Sequence, residues 1–378
     1  MDIETIMSGA EIGPKEKVNA HPEEDKELEE IVQRLETSIK IVGVGGSGCN
    51  TINRLSEMGV IGSEIVTVNA DAQDLYFKES DRKVLIGSNI THGRGAGNNP
   101  KVGEECARAD KSRIENALRG GDMIFVTCGL GGGTGTGAAP IVAEVAKSLN
   151  ALTIAIVTLP FVSEGRVRSA NALHGLTNVR EHADTTIVIP NDRLLDLVPN
   201  LPLDKAFRVA DELLSNAAKG ITELITKPGL VNLDFADINT VMENGGTALI
   251  GIGVSSSDAA AEPGNRAKES ALNALRSPLL DTTEVDSAMG AIIHITGGPD
   301  MKLEEANTIV KTVADNIDPN AQIIWGAHIE EGAPTAHNVI KTLLILSGVK
   351  TPKFEEDLKG RAEMKPQAPV FDFDLKQI

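Results

Sequence analysis

The chain has 378 residues, and its 54 Asp and Glu against 36 Lys and Arg give a formal charge of −18. At about 100–200 residues per domain there is room for two domains and a sizeable core. The acidic excess argues against nucleic-acid binding by phosphate neutralisation, and eight Phe, one Trp and one Tyr supply few stacking platforms.

Residues 1–36 carry 11 acidic and 4 basic side chains, net −7, and read as a mobile or loosely docked acidic extension. This segment has no cationic stretch followed by an apolar one, so it does not read as a secretory signal. The longest apolar run, Ala151 to Val162, is interrupted by Thr153, Thr158 and Pro160 and is too short for a membrane span. A soluble protein is expected. Cys49, Cys106 and Cys128 form no CxxC, which suits a reducing cytoplasm, and the seven His residues show no paired ligand spacing, so no transition-metal site is expected.

From Ile39 onward β-rich runs alternate with helical patterns: Ile39 to Val44, Ile65 to Asn69, Val84 to Ile86, Met123 to Cys128, Leu152 to Leu159 and Thr186 to Ile189. Runs apolar along their whole length indicate a parallel α/β sheet covered on both faces. In such sheets ligands bind at the carboxyl ends of the strands, and the glycines cluster there. Gly43-Val44-Gly45-Gly46-Ser47-Gly48 follows the first strand; Gly131-Gly132-Gly133-Thr134-Gly135-Thr136-Gly137 follows the strand Met123 to Cys128. Leu203 to Thr226 repeats apolar residues at the helical period, with Pro202 before it and Pro228-Gly229 after it. Thr247 to Val254, Ala291 to Thr296 and Ile323 to Ile329 read as strands of a second sheet, with Arg266 to Ala274 and Leu303 to Ile317 as helices. Residues 351–378 read as a linker ending in a small apolar tip, Val370, Phe371, Phe373 and Leu375.

A strand passing through glycines into a helix suits phosphate, because inward-turned N–H groups and the helix N-terminus both attract oxygen anions. The first loop satisfies GxGxxG, with Asp71 at the end of the next strand, and so reads either as a dinucleotide fingerprint or as a tight βα turn. The second loop has more glycine than a turn requires. Two such loops on one sheet favour a triphosphate, and the absence of GK[ST] leaves charge to be offset by backbone dipoles and Mg2+. Asp234 and Asp237 read either as a helix N-cap with its acidic N3 partner or as catalytic carboxylates.

The order of these segments resembles the tubulin and FtsZ superfamily, and FtsZ, the cell-division GTPase, in particular. GGGTGTG is nearly the superfamily signature. Gly43 to Asn50 is similar to the first phosphate loop, Asn69 to Gln73 to the second, and Gly95 to Pro100 to the loop that senses the γ-phosphate. Pro160 to Arg168 resembles the ribose loop, Pro190 to Asp192 the base loop, and Asn232 to Asp237 the synergy loop. The resemblance runs from Ile39 to Val349.

It implies a Rossmann-like GTP-binding domain over 37–202, a central helix over 203–228, a smaller α/β (α+β) activating domain over 229–350 and a partner-binding peptide within 351–378. GTP or GDP with Mg2+ is then held by Gly45, Gly46, Ser47, Asn50, Asp71, Gly97, Asn98, Gly131 to Gly137, Glu164 and Arg168. Asn50, Asn191, Phe207 and Asp211 touch the base, and Glu164 and Arg168 the ribose. Phe207 and Asp211 lie one helical turn apart, and a carboxylate can accept from both N1–H and the N2 amino group of guanine. Asn232, Asp234 and Asp237 become the catalytic set. The intervening helix of 24 residues spans about 36 Å, so they must serve a second copy placed head to tail, which gives filaments. The resemblance further implies a cytoplasmic ring at midcell, a tail peptide that binds membrane-anchor or division proteins, and no direct membrane insertion. The competing reading is an NAD-dependent oxidoreductase built on Gly43 to Gly48.

Overall fold

The computed structural model describes residues 37–60, 62–197, 203–226, 231, 233–255, 265–280, 285–330, 339–350 and 353–363. In chain order, β1 (Ile39–Val44) leads into α1 (Gly45–Glu57), β2 (Ser63–Asn69) into α2 (Ala72–Tyr76), and β3 (Arg82–Leu85) into α3 (Ser88–Thr91), α4 (Pro100–Ala109) and α5 (Lys111–Leu118). Then β4 (Met123–Gly129) leads into α6 (Thr134–Ser148), β5 (Leu152–Leu159) into α7 (Arg166–His182), and β6 (Thr185–Pro190) into α8 (Asn191–Leu197). These six strands are parallel throughout. Every residue of β1, β5 and β6 is buried, the polar Lys40, Thr153, Thr158, Thr185 and Thr186 included, as expected of strands in a sheet covered on both faces.

The chain continues through α9 (Leu203–Thr226), α10 (Phe235–Met242), β7 (Gly246–Val254), α11 (Asn265–Leu275), β8 (Gly290–Gly297), α12 (Leu303–Ala314), β9 (Gln322–Ile329), β10 (Ile340–Ser347) and α13 (Lys353–Glu363). Here the sheet is mixed: β10 runs antiparallel to both β7 and β8, and β9 runs parallel to β8. The expected second sheet is not separate. β7 pairs with β6 from Thr185–Gly246 to Ile187–Ala248, so the described strands form one sheet in the order β3-β2-β1-β4-β5-β6-β7-β10-β8-β9. Two further differences from the sequence reading are β10, which sequence pattern did not single out, and α13. The linker assignment fails over Lys353–Glu363, because Phe354 and Leu358 are buried and Arg180 of α7 donates to Glu355 at 2.8 Å.

α9 ties the two halves of the sheet together. Leu214, Ala217 and Ile221 pack in one apolar cluster with Ile41, Phe125 and Ile154 from the parallel strands and with Ile250, Ile292 and Ile345 from the mixed ones. Burying each such side chain contributes about 1.5–3 kcal/mol. At its middle the Ser215 hydroxyl donates to the Thr51 carbonyl of α1 at 3.3 Å. Towards its tail Leu224 lies against Gly326 of β9 so closely that a Cβ on that glycine would meet it at 2.4 Å. No described helix is long and apolar enough to cross a membrane.

Candidate active site

The site is built where β1 and β4 end. Asp71 caps α2, Asn99 caps α4 and Asp234 caps α10, whereas α3, α5, α7 and α12 lack a side-chain cap. The N-termini of α1 and α6 have no side-chain cap, being preceded by Val44 and Gly133. Each leaves first-turn N–H donors without intrahelical partners. The loops abut: Gly45, at φ +71°, stands so near α6 that a Cβ there would meet the Gly135 nitrogen at 2.6 Å. Two sets of N-terminal N–H donors therefore share one cleft, an arrangement that suits a multiply charged anion.

The cleft has a volume of about 680 Å³. Of the expected residues, Gly46, Ser47, Asn50, Asp71, Gly97, Asn98, Glu164, Arg168, Asn191 and Asp211 line it, together with Gly132, Gly133, Thr134 and Gly135 of the second loop. Gly45, Gly131, Thr136 and Gly137 stand behind the wall. The Thr136 hydroxyl accepts from the Gly131 N–H at 2.9 Å and so shapes the loop from within. A Cβ on Gly137 would meet the Pro100 carbonyl oxygen of α4 at 2.0 Å, which makes that glycine a packing requirement. Asp234 and Asp237 are absent from the cleft wall. They bond reciprocally, the Asp237 N–H donating to Asp234 at 2.8 Å and the Asp234 N–H to Asp237 at 3.3 Å. The helix-capping reading is thus realised. Asn232 and the Phe207 side chain lie outside the described residues.

At one end the Thr51 hydroxyl donates to Asp211 at 3.3 Å. Burial pushes the Asp211 carboxyl up to about 6, against the opposing pull of Thr51, Lys78 and Arg54. Elsewhere in the cleft wall, the Asn191 Oδ1 is buried and has no hydrogen-bond partner among the described residues. A buried acceptor left in this state calls for a donor from a ligand. Asn50 accepts from Lys78 at 2.6 Å, and Lys78 also pairs with Asp74 at 3.1 Å.

On the wall formed by α7, Glu164 and Arg168 form an ion pair one turn apart. The Asn171 side chain donates to the Asn98 carbonyl at 3.4 Å and the Gly131 carbonyl at 3.2 Å, stitching two loops together. Asp192 accepts from the Val162 N–H at 3.0 Å and from Arg361 of α13 at 2.7 Å, so α13 braces the loops after β5 and β6. Sequence reasoning missed Asn69, Asp74, Arg94, Thr158 and Pro160 of the wall as site residues. Asn69 and Pro160 lay inside quoted motifs, and Arg94 directly precedes the Gly95 turn; a cation next to a glycine loop was the available signal.

Asp71 is tied to its own helix. Its Oδ1 accepts from the Gln73 and Asp74 N–H groups, each at 3.0 Å, while its Oδ2 lies 3.6 Å from where a Cβ on Gly95 would be, beside the glycine turn.

Comparison with known proteins agrees with this geometry. Residues 38–199 match the Tubulin/FtsZ family GTPase domain, and residues 246–350 match the FtsZ family C-terminal domain. The chain is 52% identical over 353 residues to cell division protein FtsZ 1 of Archaeoglobus fulgidus, covering 93% of each. A solved FtsZ dimer from M. jannaschii superposes with a TM-score of 0.80 at 51% identity, covering 87% of this chain and 96% of that one. CetZ2 from Haloferax volcanii, at 23% identity and a TM-score of 0.74, shares the fold. The oxidoreductase alternative finds no support in these relationships. With both family domains present in order, the first of them holding the two glycine loops, the chain belongs to the FtsZ family, the tubulin-related GTPases of cell division.

Proposed function

We propose that the cleft binds GTP, with the guanine between Asn191 and Asp211 and the phosphates at the N-termini of α1 and α6. The observation that carries this reading is the pair of uncapped helix N-termini opening onto one cleft. The unpartnered Asn191 oxygen and the Asp211 carboxylate supply acceptors suited to guanine, whose Watson–Crick edge presents N1–H and N2 donors. Phe207, four residues before Asp211, is assigned to stack on the base, and Glu164 and Arg168 to hold the ribose.

No group of three or more His, Cys, Asp or Glu suited to a metal occurs among the described residues. That fits Mg2+, which binds through substrate phosphates, waters and one or two carboxylates instead of a protein cage. Asp71, with its second oxygen beside the Gly95 turn, is the carboxylate we assign to it. The ion supplies charge neutralisation at the phosphates.

Hydrolysis is proposed to require a second copy. Asp234 and Asp237 do not line the cleft of their own chain, and α9 stands between the two places with a length of about 36 Å. A neighbour placed head to tail brings its Asp234, Asp237 and Asn232 to the terminal phosphate, where two carboxylates can orient the attacking water. Repetition of that contact gives an open filament. The M. jannaschii relative, solved as a dimer, supports self-association. The proposed setting is the midcell division ring, with Val370 to Leu375, outside the described residues, docking on anchor or division proteins.

The test is phosphate release and light scattering after addition of GTP and Mg2+ across a protein dilution series. Turnover per subunit should rise with protein concentration, and Asp237→Ala should still bind GTP while losing turnover. Turnover per subunit that is independent of concentration rules out the trans site.

A further inference from the structure

The last described helix returns to the nucleotide end of the molecule. α13 lies beyond the matched C-terminal family domain, which ends at residue 350, yet it packs along α7 and across the ends of β5 and β6 in the first domain. Phe354 and Leu358, one turn apart and both buried, sit over Leu159, Pro160 and Pro190, with a cavity of about 30 Å³ left there. Ion pairs hold the helix at both ends. Arg180 of α7 donates to Glu355 at 2.8 Å, and Arg361 donates to Asp192 at 2.7 Å.

Asp192 is the point at which α13 can act on the cleft. Its side chain stands behind the wall, where Oδ1 accepts from the Val162 N–H at 3.0 Å and Oδ2 accepts from Arg361. One carboxylate thus joins three segments. It directly follows Asn191, whose buried Oδ1 awaits a donor, and it holds the first N–H of the short turn Val162–Glu164, which ends at Glu164 of the wall. With only the Val162 N–H to hold it, the carboxylate could turn; the guanidinium on its second oxygen fixes it. Asp192 and Arg361 are each 26% exposed, so the pair is screened less than one at the open surface.

We infer that Arg361 is a positioning residue for the nucleoside: through Asp192 it sets the base loop at Asn191 and the ribose loop at Glu164, so that tight binding of guanosine nucleotides requires α13 to be docked. This rests on the proposed reading of the cleft as a GTP site. Loops already held in place spare the ligand the cost of ordering them. Base and ribose are common to GTP and GDP, so the effect falls on both alike. The coupling is also reciprocal. If docked α13 tightens nucleotide binding, bound nucleotide tightens the docking of α13 by the same factor.

The experiment is equilibrium binding of GDP and of GTP to the full chain, below the concentration at which it assembles, for wild type, Arg361→Ala and Arg361→Lys, with amide hydrogen exchange of residues 353–363 followed with and without GDP. Arg361→Ala should bind each nucleotide about 3- to 10-fold more weakly, the scale of a partly buried ion pair. Arg361→Lys should recover part of the loss. In the wild type GDP should slow exchange in α13 by about the same factor, and in Arg361→Ala the slowing should vanish. Wild-type GDP affinity in Arg361→Ala, or wild-type exchange in α13 that GDP leaves unchanged, overturns the positioning role. The wild-type exchange measurement needs no variant and stands even if Arg361→Ala fails to fold. Wild-type protein that binds neither nucleotide overturns the GTP reading itself.

Discussion

Asp211 holds two opposing demands in one carboxyl group. Burial favours its neutral form and pushes it up to about 6, whereas guanine, offering two donors, needs the ionised form. Binding and deprotonation are therefore linked. Below about pH 6 the free protein must give up a proton before it can receive the base, and GTP affinity should fall as pH drops from 7 to 5, approaching tenfold per unit at the acid end. In the nucleotide-free chain the sign for folding is opposite. The native carboxyl holds its proton to a higher pH than the unfolded one, so this group costs stability as pH rises through the interval from about 4 to about 6. Calorimetric titration with GTP at a series of pH values checks the first statement. Asp211→Asn should flatten the pH profile, and Asp211→Ala should lose the preference for GTP over ATP. Unchanged selectivity in Asp211→Ala would remove Asp211 from the base site.

At the scale of elements, α10 poses the sharpest question, since Asp234 and Asp237 demonstrably cap it and are also assigned to catalysis in trans. Asparagine caps a helix about as well as aspartate but carries no charge. Asp234→Asn should therefore leave thermal stability near wild type and reduce GTP turnover, whereas Asp234→Ala should lose turnover and also about 1 kcal/mol of stability. Wild-type turnover in Asp234→Asn would leave the residue a cap and nothing more. The same helix shows what sequence can and cannot convey. The cap, the long period of α9 and the mostly apolar runs of β1, β4 and β5 are local patterns, and each was legible. The strand β10 was not singled out, because Lys341 and Thr342 interrupt its apolar run and its partners β7 and β8 lie far away in sequence. The helix α13 was obscured by Pro352 and by its charged surface; what holds it is Phe354, Leu358 and two ion pairs to distant residues. The continuity of the sheet depends on the short β6–β7 pairing, which no pattern within either strand announces. Within the cleft, glycine motifs named the wall, but spacing could not separate glycines that face the ligand from Gly131 and Gly137, which face neighbouring backbone.

For the whole molecule, the charge of −18 becomes a statement about assembly. It divides into −7 over residues 1–36, −10 over 37–350 and −1 over 351–378, so most of it belongs to the segment that repeats along a filament. Each added subunit brings negative charge against negative charge. At low ionic strength the field extends about 30 Å at 0.01 M salt, and at 0.15 M it is screened to about 8 Å. Self-repulsion should then oppose assembly most strongly in dilute buffer. The GTP-dependent critical concentration, measured by sedimentation at fixed Mg2+, should fall as monovalent salt rises from about 0.01 to about 0.15 M. Added divalent cations should lower it at smaller concentrations, since they neutralise as well as screen. A control series with GDP separates this from an effect on nucleotide binding, because screening acts on both nucleotide states while the carboxylates in trans act on GTP alone. If the critical concentration instead rises with salt, attraction between complementary charges at the subunit contact outweighs the net repulsion. The determinant of assembly would then lie in the local contact between the cleft face of one subunit and the α10 face of the next.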